Sequence, residues 1–382
     1  MYTFTIIIIL ISIAISFSSV NAAFCNDPTK NQNLPLQCRT APACGSILSP
    51  PPINYDLKKV WSYIIAPNVD FYNNLTRKDT LLLQSNSIIL TDFATWTDKN
   101  ALALLICVAH LNGAQVHHWV GFDCGAKVNG VFTYPCQAYM ANNGYVADVG
   151  LVSSMGADGF NIDFEGSSTF VPPNTFKNQW MKTIYNYTKW INYYVVSTAV
   201  PCHYDQNQWN TDYSDYFFAM CYDMGGNDGM IRSNSPYDTV RNGITTWKAY
   251  VNKPGKIVVG LPLYSYFANC GPMDYGLYGT TCNYNPASYP NGLPSIGLNG
   301  IYNAIGTAYL VGDGITSNSR TPYVNLMASN DAISQYQYQS PSSIYQKVLG
   351  LGVGGAGFFR VDLLTGLPLS VIKAYYVSAQ SL

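Results

Sequence analysis

Residues 157–166 read ADGFNIDFEG, a short segment that combines apolar and acidic residues. From residue 159 to residue 165, Gly, Asn, Asp and Glu alternate with three apolar residues, and a period of two is typical of a β-strand with two different faces. Asp163 and Glu165 therefore point to the same side of the predicted strand, with α-carbons about 6 to 7 Å apart. The spacing predicts that the two carboxyl groups act together.

A pair of acids at this spacing is also common on the solvent-exposed face of an antiparallel sheet. This chain, however, is only 11% charged, and three of its 21 acidic residues lie between residues 158 and 165. The residues that flank them are apolar, which a solvent-exposed strand edge does not require. We therefore favour a functional acidic pair over a solvated edge.

The first 22 residues have the features of a secretory signal peptide. An apolar run over residues 4–15 is followed by small residues, which predicts cleavage before Ala23. No basic residue precedes the run, and an uncleaved anchor is the alternative, although the run is shorter than the ~20 residues of a membrane span. We expect a protein of the secretory pathway, lysosomal or secreted, with no membrane attachment after cleavage.

Ten cysteines follow the signal peptide, an even number that suits an oxidising compartment. Three of them lie in a Cys- and Pro-rich segment, residues 23–52. Cys124 with Cys136, and Cys270 with Cys282, are each spaced to close a short loop. The pairing of the others stays open.

Cys107, Cys202 and Cys221 lie within apolar segments, where we expect buried free thiols. No C-x-x-C pair occurs, so we expect no metal, and nothing in the sequence calls for another cofactor. Two N-x-T sequences, at Asn74 and Asn186, predict glycosylation on the secretory route.

The overall composition narrows the classes of partner. The chain is 48% hydrophobic with a formal net charge of −1, so it can bury a large core and has no basic field to attract nucleic acid. Aromatic residues make up 14%, including 31 Tyr and 7 Trp, and their amphipathic rings suit uncharged sugars. We expect a monomer.

Short apolar strands alternate with helical patterns along the chain. Eight strand candidates lie at 60–66, 87–94, 114–122, 159–165, 194–200, 216–222, 256–264 and 354–361. Helical patterns include 100–111, 137–155, 174–192 and 236–251. This alternation predicts a (β/α)8 barrel of the α/β class, a TIM barrel, over residues 53–376. Residues 265–350 are too long for a simple connection and predict an inserted subdomain.

Several of these segments carry a resemblance to a known family. The sequence DGFNIDFE matches the D-G-x-[DN]-x-D-x-E signature of family 18 glycoside hydrolases, the chitinase family, and residues 220–223 match its M-x-Y-D segment. Asn161, the Cys-rich start, the SPY sequence at 235–237 and the G-x-P-x-Y sequence at 260–264 resemble the branch that contains the chitobiases. The resemblance covers roughly residues 38–362.

The resemblance implies hydrolysis of β-1,4 GlcNAc linkages, with a GlcNAc-containing oligosaccharide as the partner. In such enzymes the acetamido group of the substrate is the nucleophile, and configuration is retained. Glu165 is then the acid and base, Asp163 holds the amide N–H, and Tyr222 orients the amide carbonyl. We expect burial and the neighbouring Asp163 to raise the pKa of Glu165.

Further residues follow from the same resemblance. We expect substrate contacts from Met220, Tyr264 and Phe359, the last at a position where the family usually has tryptophan. Asp223 either contacts the reacting sugar or pairs across the barrel rim. For the signature residues Asp158 and Asn161 we favour structural support, with Asp158 bracing the motif.

The third strand departs from the family pattern. His117, His118 and Trp119 stand where many chitinases have S-x-G-G, and for each we favour a packed strand over a position lining the cleft.

Two alternatives to the chitobiase-like enzyme stay open. One is a sugar-binding lectin on the same barrel that has lost catalysis, which the presence of Glu165 with Asp163 disfavours. The other is an endo-acting chitinase, which the lack of a separate chitin-binding module disfavours. We therefore expect a glycosidase that acts on short oligosaccharides.

Overall fold

The structure is a computed structural model, and it describes a defined set of residues. These are 55, 58–65, 86–97, 99–124, 127–128, 131–132, 135–165, 175–192, 194–204, 209–225, 228–270, 282–316, 319–327 and 332–382. The predicted signal peptide, the Cys- and Pro-rich segment 23–52 and the glycosylation site Asn74 lie outside the described residues.

Eight parallel strands form a closed barrel. They are β1 (Lys59–Ile64), β2 (Ser87–Thr91), β3 (Gln115–Asp123), β6 (Gly159–Glu165), β7 (Val195–Pro201), β8 (Tyr216–Met220), β9 (Ile257–Pro262) and β15 (Gly355–Phe359). Their order around the barrel is β1-β15-β9-β8-β7-β6-β3-β2. Each of the eight predicted segments contributes one barrel strand, so the predicted TIM barrel is confirmed.

Eight α-helices lie in the described part of the chain. They are α1 (Lys99–Leu111), α2 (Pro135–Ala141), α3 (Gly144–Met155), α4 (Thr175–Asn192), α5 (Tyr237–Tyr250), α6 (Leu298–Thr307), α7 (Pro341–Val348) and α8 (Leu369–Ala379). The helix predicted over 137–155 is two helices, because Asn143 between α2 and α3 has a left-handed backbone with φ of 53°. Asparagine tolerates this conformation better than most residues.

The chain divides into two compact units, and the first includes residues 72–197. It contains β2, β3 and β6, helices α1 to α4, and a small hairpin of β4 (Lys127–Val128) and β5 (Val131–Phe132). In β6, Phe160, Ile162 and Phe164 are buried, and the Phe164 ring contacts rings on α2 and α4. The alternate residues of β6, including Asp163, therefore face the barrel interior.

The second unit comprises residues 54–71 and 198–382. Besides four barrel strands it holds a five-stranded antiparallel sheet, whose strands are β10 (Tyr264–Asn269), β11 (Ser295–Gly297), β12 (Tyr309–Ile315), β13 (Pro322–Met327) and β14 (Ile333–Gln337). Apart from Tyr264, the first residue of β10, this sheet and α6 lie within the predicted insertion, 265–350. The same range ends with α7, which packs against α8.

The disulfides partly match the sequence-based expectation. Cys124 is bonded to Cys136 and Cys270 to Cys282, as their spacing predicts. The expectation of free thiols is wrong, because Cys202 is bonded to Cys221 with a Cα–Cα distance of 4.5 Å, and Cys107 is also disulfide-bonded. Cys202 and Cys221 each follow the end of one of two neighbouring strands, β7 and β8, and neighbouring strands lie about 4.8 Å apart.

A lysine with no exposed surface lies in the second unit. The Nζ atom of Lys347, on α7, donates to Gln339 Oε1 at 2.5 Å and to Thr321 Oγ1 at 3.4 Å, and the Thr321 hydroxyl bonds to the Ser233 hydroxyl at 2.7 Å. No carboxylate in the described part of the chain is paired with this ammonium group. Burial alone lowers the pKa of Lys347 to about 7.

This lowered pKa predicts a pH-dependent stability. Below pH 7 the folded protein carries the buried charge, whereas above pH 7 it releases the proton that the unfolded chain keeps up to about pH 10.5. We expect the free energy of unfolding of the wild type, relative to Lys347→Met, to rise above pH 7 by up to about 1.4 kcal/mol per pH unit. Urea unfolding of both proteins at pH 6 to 9 measures this difference, and parallel curves would contradict it.

Candidate active site

Strand β6 positions the acidic pair at its carboxyl end. Glu165 is the last residue of the strand and is exposed, whereas Asp163 is only 6% exposed. We expected burial of Glu165, and this expectation is wrong because Glu165 lies at the open end of the strand, one pleat beyond the packed interior. The buried carboxyl group of the pair is that of Asp163.

The Asp163 carboxyl group has one hydrogen-bond donor in the described structure. Its Oδ2 atom accepts from the indole Nε1–H of Trp119 at 3.1 Å, and its Oδ1 atom is buried without a partner among the described residues. Burial, followed by the charge of Glu165, raises the pKa of Asp163 to about 7. The hydrogen bond from Trp119 acts in the opposite direction, since it stabilises the ionised form.

The other two signature residues bind neighbouring elements. Asp158 Oδ2 accepts from the backbone N–H of Val116 and lies against His110 Nε2, both at 2.8 Å. Asp158 thereby connects the start of β6 to β3 and α1. The side-chain amide of Asn161 donates to the Ser197 hydroxyl on β7 at 2.8 Å.

The three residues on β3 that replace the usual chitinase sequence differ in their surroundings. His117 and His118 are fully buried, and His118 accepts from the backbone N–H of Phe93, stacks on the Phe93 ring and lies 3.3 Å from Asp148. Trp119 is partly exposed and reaches Asp163. The two histidines thus have packed positions, and Trp119 belongs to the site.

A second group of predicted site residues lies in the second unit, at the carboxyl ends of its barrel strands. The Tyr222 ring stacks on the Phe359 ring, with centroids 5.3 Å apart and planes 15° apart. The Tyr264 ring lies edge-on to both, at 6.4 Å from Tyr222 and 6.3 Å from Phe359. Met220 ends β8 and is partly exposed. The three rings of Tyr222, Tyr264 and Phe359 thus form an aromatic cluster.

Asp223 is held in an unusual backbone conformation beside this cluster. Its φ is 59°, a left-handed value, and its backbone N–H donates to Asn234 Oδ1 at 2.5 Å. The hydroxyl groups of Tyr264 and Tyr266 both donate to Asp223 Oδ1, at 2.5 and 2.7 Å. Burial, followed by Asp223, raises the pKa of Tyr264, so this phenol stays a donor.

Three residues of the two groups were not predicted as site residues. Tyr266 lies two positions after Tyr264 on β10, and this period-two spacing is a signal that the sequence offers. Trp119 departs from the family pattern, but nothing local in the sequence shows that it reaches β6. Asn234 acts on Asp223 across 11 residues, which no periodicity shows.

The predicted glycosylation site Asn186 lies on a helix of the first unit. Asn186 is exposed on α4, and the Thr188 hydroxyl of its N-x-T sequence donates to the backbone carbonyl of Ile184. Within the described residues, no three His, Cys, Asp or Glu side chains group as a metal site. None of the described helices has the length and apolar character to cross a membrane.

A closed parallel barrel with paired acids at a strand's carboxyl end is the architecture of a large class of enzymes. Residues 146–363 match the family of glycosyl hydrolases called family 18, which is more than half of the 382 residues. The chain therefore belongs to glycosyl hydrolase family 18. No curated protein sequence matches it.

Solved structures with the same fold include two chitinases and a spore cortex-lytic enzyme. A chitinase from Rhizomucor miehei is 17% identical with a TM-score of 0.64, covering 84% of this chain and 100% of that chain. A family 18 chitinase from Cycas revoluta in complex with (GlcNAc)3 is 15% identical with a TM-score of 0.62, covering 84% and 99%. The spore cortex-lytic enzyme SleL from Bacillus cereus is 14% identical with a TM-score of 0.63, covering 86% and 75%. At these identities the likeness shows the fold.

The charge coupling within the acidic pair can be measured directly. We expect Glu165→Gln to lower the pKa of Asp163 below 7, because the substitution removes a like charge and leaves the burial in place. The side-chain 13C resonance of Asp163, assigned with Asp163→Asn in protein labelled at aspartate, reports the titration. A pKa that stays unchanged or rises in Glu165→Gln would show that the two carboxyl groups do not interact.

Proposed function

We propose that this protein is a retaining glycosidase that hydrolyses β-1,4 linkages of GlcNAc oligosaccharides, with Glu165 as acid and base. The observation that carries the proposal is the pairing of Asp163 and Glu165 at the carboxyl end of β6, within the family signature. Glycoside hydrolysis needs a proton for the leaving oxygen and a group that stabilises the positive anomeric carbon. The exposed Glu165 can supply the proton, and the buried Asp163 beside it can help to stabilise the positive charge.

In the proposed mechanism, Glu165 protonates the glycosidic oxygen as the bond to the anomeric carbon breaks. The acetamido oxygen of the same sugar attacks that carbon and forms a cyclic oxazolinium intermediate, and the aglycone leaves. Asp163 Oδ1, which is buried without a donor among the described residues, accepts the amide N–H. Glu165 then takes a proton from water, which opens the ring with retained configuration.

Two residues of the second unit, Tyr222 and Phe359, are assigned roles in this mechanism because they match positions of the family pattern. Tyr222 lies in the M-x-Y-D segment, and we assign its hydroxyl group to the acetamido carbonyl. Phe359 stacks on the Tyr222 ring and replaces the larger tryptophan that the family usually has. A smaller ring gives the reacting sugar a smaller apolar contact, which weakens binding and leaves the acid in place.

For the substrate we propose short chitooligosaccharides or the chitobiose core of glycans, cut from the reducing end as in chitobiases. This rests on the features at Asn161, 235–237 and 260–264 that resemble the chitobiase branch. The secretory route, ending in a lysosome or outside the cell, is part of the same proposal, and the disulfides are compatible with it. Product analysis on end-labelled chitotetraose distinguishes this exo action from an endo chitinase, which releases disaccharides from internal bonds.

The first test asks whether the acetamido group is required. We expect the purified protein to hydrolyse a chromogenic di-N-acetylchitobioside and to leave the de-N-acetylated analogue intact, because only the former carries the internal nucleophile. Release of the chromophore over pH 4 to 9 measures this. Equal rates on both substrates would rule out the substrate-assisted mechanism. Binding of chitooligosaccharide without any turnover would support the lectin instead.

The second test assigns the acid. We expect Glu165→Gln to lower kcat by about 10² to 10⁴-fold, the usual contribution of a general acid, with little change in oligosaccharide affinity. Steady-state kinetics and calorimetric binding give the two quantities. Asp212→Asn is a matched control, since this exposed carboxylate precedes β8 at the opposite end of a strand. Near wild-type turnover in Glu165→Gln would mean that another group supplies the proton.

A further inference from the structure

We propose that Trp119 is a positioning residue for Asp163, holding one carboxylate oxygen so that the other is directed at the substrate. The inference rests on the proposed function for the identity of that substrate, an N-acetylated sugar. It concerns a residue that stands where this family usually has a small one, and three features of the first unit carry it.

The first feature is the register between β3 and β6. Trp119 is aligned with Asn161, Gly121 with Asp163, and Asp123 with Glu165. Register partners on neighbouring parallel strands face the same side of the sheet, so Trp119 lies on the interior face with Asp163. Trp119 is aligned two residues before Asp163 along the strands, and its indole Nε1 atom lies 3.1 Å from Asp163 Oδ2.

The second feature is the glycine between them. A β-carbon placed on Gly121 would lie 2.7 Å from Cζ2 of Trp119, closer than such contacts occur. The missing side chain of Gly121 is therefore what lets the indole lie along β3 and point its N–H at Asp163. Residue 121 is next to Asp163 in register, so any larger residue there would displace the indole from its position.

The third feature is the state of the carboxyl group itself. Asp163 Oδ2 is bonded to Trp119, and Oδ1 is buried with no donor among the described residues. A bond to one oxygen of a planar carboxylate fixes the direction of the other oxygen. The buried Oδ1 is thus presented as an acceptor for a donor that the described residues do not supply.

Among the described residues, few charged or titratable groups act on Asp163. Glu165 on the same strand is the one whose charge acts on its ionisation, and Asp123 on β3 lies in register with Glu165. Asn161 on β6 and Ser197 on β7, which are bonded to each other, are neutral. In these surroundings the Trp119 N–H is the group that favours ionised Asp163.

The test replaces the indole by a ring that has no donor. In Trp119→Phe we expect the ionisation near pH 7 in the profile of kcat/KM to move to higher pH by about one unit, because a hydrogen bond to the charged form is lost. We also expect kcat to fall more than KM rises, since Oδ1 is no longer held. The exposed Trp190 provides a matched control, and Trp190→Phe should match the wild type in both readouts.

A second variant tests the same contact without removing the indole. Gly121→Ala should displace Trp119 and shift the profile in the same direction as Trp119→Phe. The 13C titration of Asp163 gives a readout that needs no turnover, and circular dichroism verifies that each variant is folded. If Trp119→Phe fails to fold, Gly121→Ala and the titration still decide the matter.

The outcomes separate this inference from the proposed function. If the wild type does not hydrolyse the chitobioside, the proposed function fails, and the Asp163 titration in the variants still decides the role of Trp119. If the wild type is active and both variants keep the wild-type profile and titration, the positioning role is overturned alone. A uniform loss of activity with an unchanged pH profile would also overturn it, because that result indicates a structural role.

Discussion

A buried carboxyl group next to a second carboxyl group is the constraint on which this site depends. Asp163 is removed from water on the inner face of β6, and Glu165 lies two residues further along the same face. Both effects disfavour the ionised form, which is why the pKa of Asp163 rises to about 7. The folded protein consequently holds this proton more tightly than the unfolded chain does. Between about pH 4 and pH 7, the contribution of Asp163 to the free energy of unfolding therefore falls as the pH rises. The rest of the barrel has to offset that cost.

The barrel can do so because β6 has one apolar face. Phe160, Ile162 and Phe164 pack between the sheet and its helices, and full burial of a large apolar side chain contributes about 1.5 to 3 kcal/mol. The opposite face is then free to carry polar groups. Asp158 at the start of the strand adds bonds to β3 and α1, which fixes the strand against its neighbours. A buried acidic residue on the inner face, such as Asp163, does not help to keep the protein in solution, and this favours a functional role for it.

The sequence predicted the features that depend on local pattern. The alternation of short apolar segments with helical patterns predicted all eight barrel strands. The period of two in β6 predicted that Asp163 and Glu165 lie on the same face. What it missed depends on contacts between distant segments. The Cys202–Cys221 bond forms because β7 and β8 lie side by side, and the exposure of Glu165 depends on how far neighbouring segments cover the carboxyl end of β6. A residue-by-residue pattern carries no information on such contacts, and the same holds for the hydrogen bond from Trp119 on β3 to Asp163 on β6.

The carboxyl groups of Asp163 and Asp223 both accept hydrogen bonds from neutral aromatic side chains. Asp163 accepts from an indole, and Asp223 accepts from the hydroxyl groups of Tyr264 and Tyr266. No lysine or arginine in the described part of the chain forms an ion pair with either one. The distinction matters at Asp163, because a cation at hydrogen-bonding distance would favour ionisation by its full charge and would cancel the effect of Glu165. An N–H dipole fixes the geometry of the carboxyl group and leaves its affinity for a proton high. A chain that is 11% charged and 14% aromatic is suited to this arrangement, in which orientation and proton affinity are set by different neighbours.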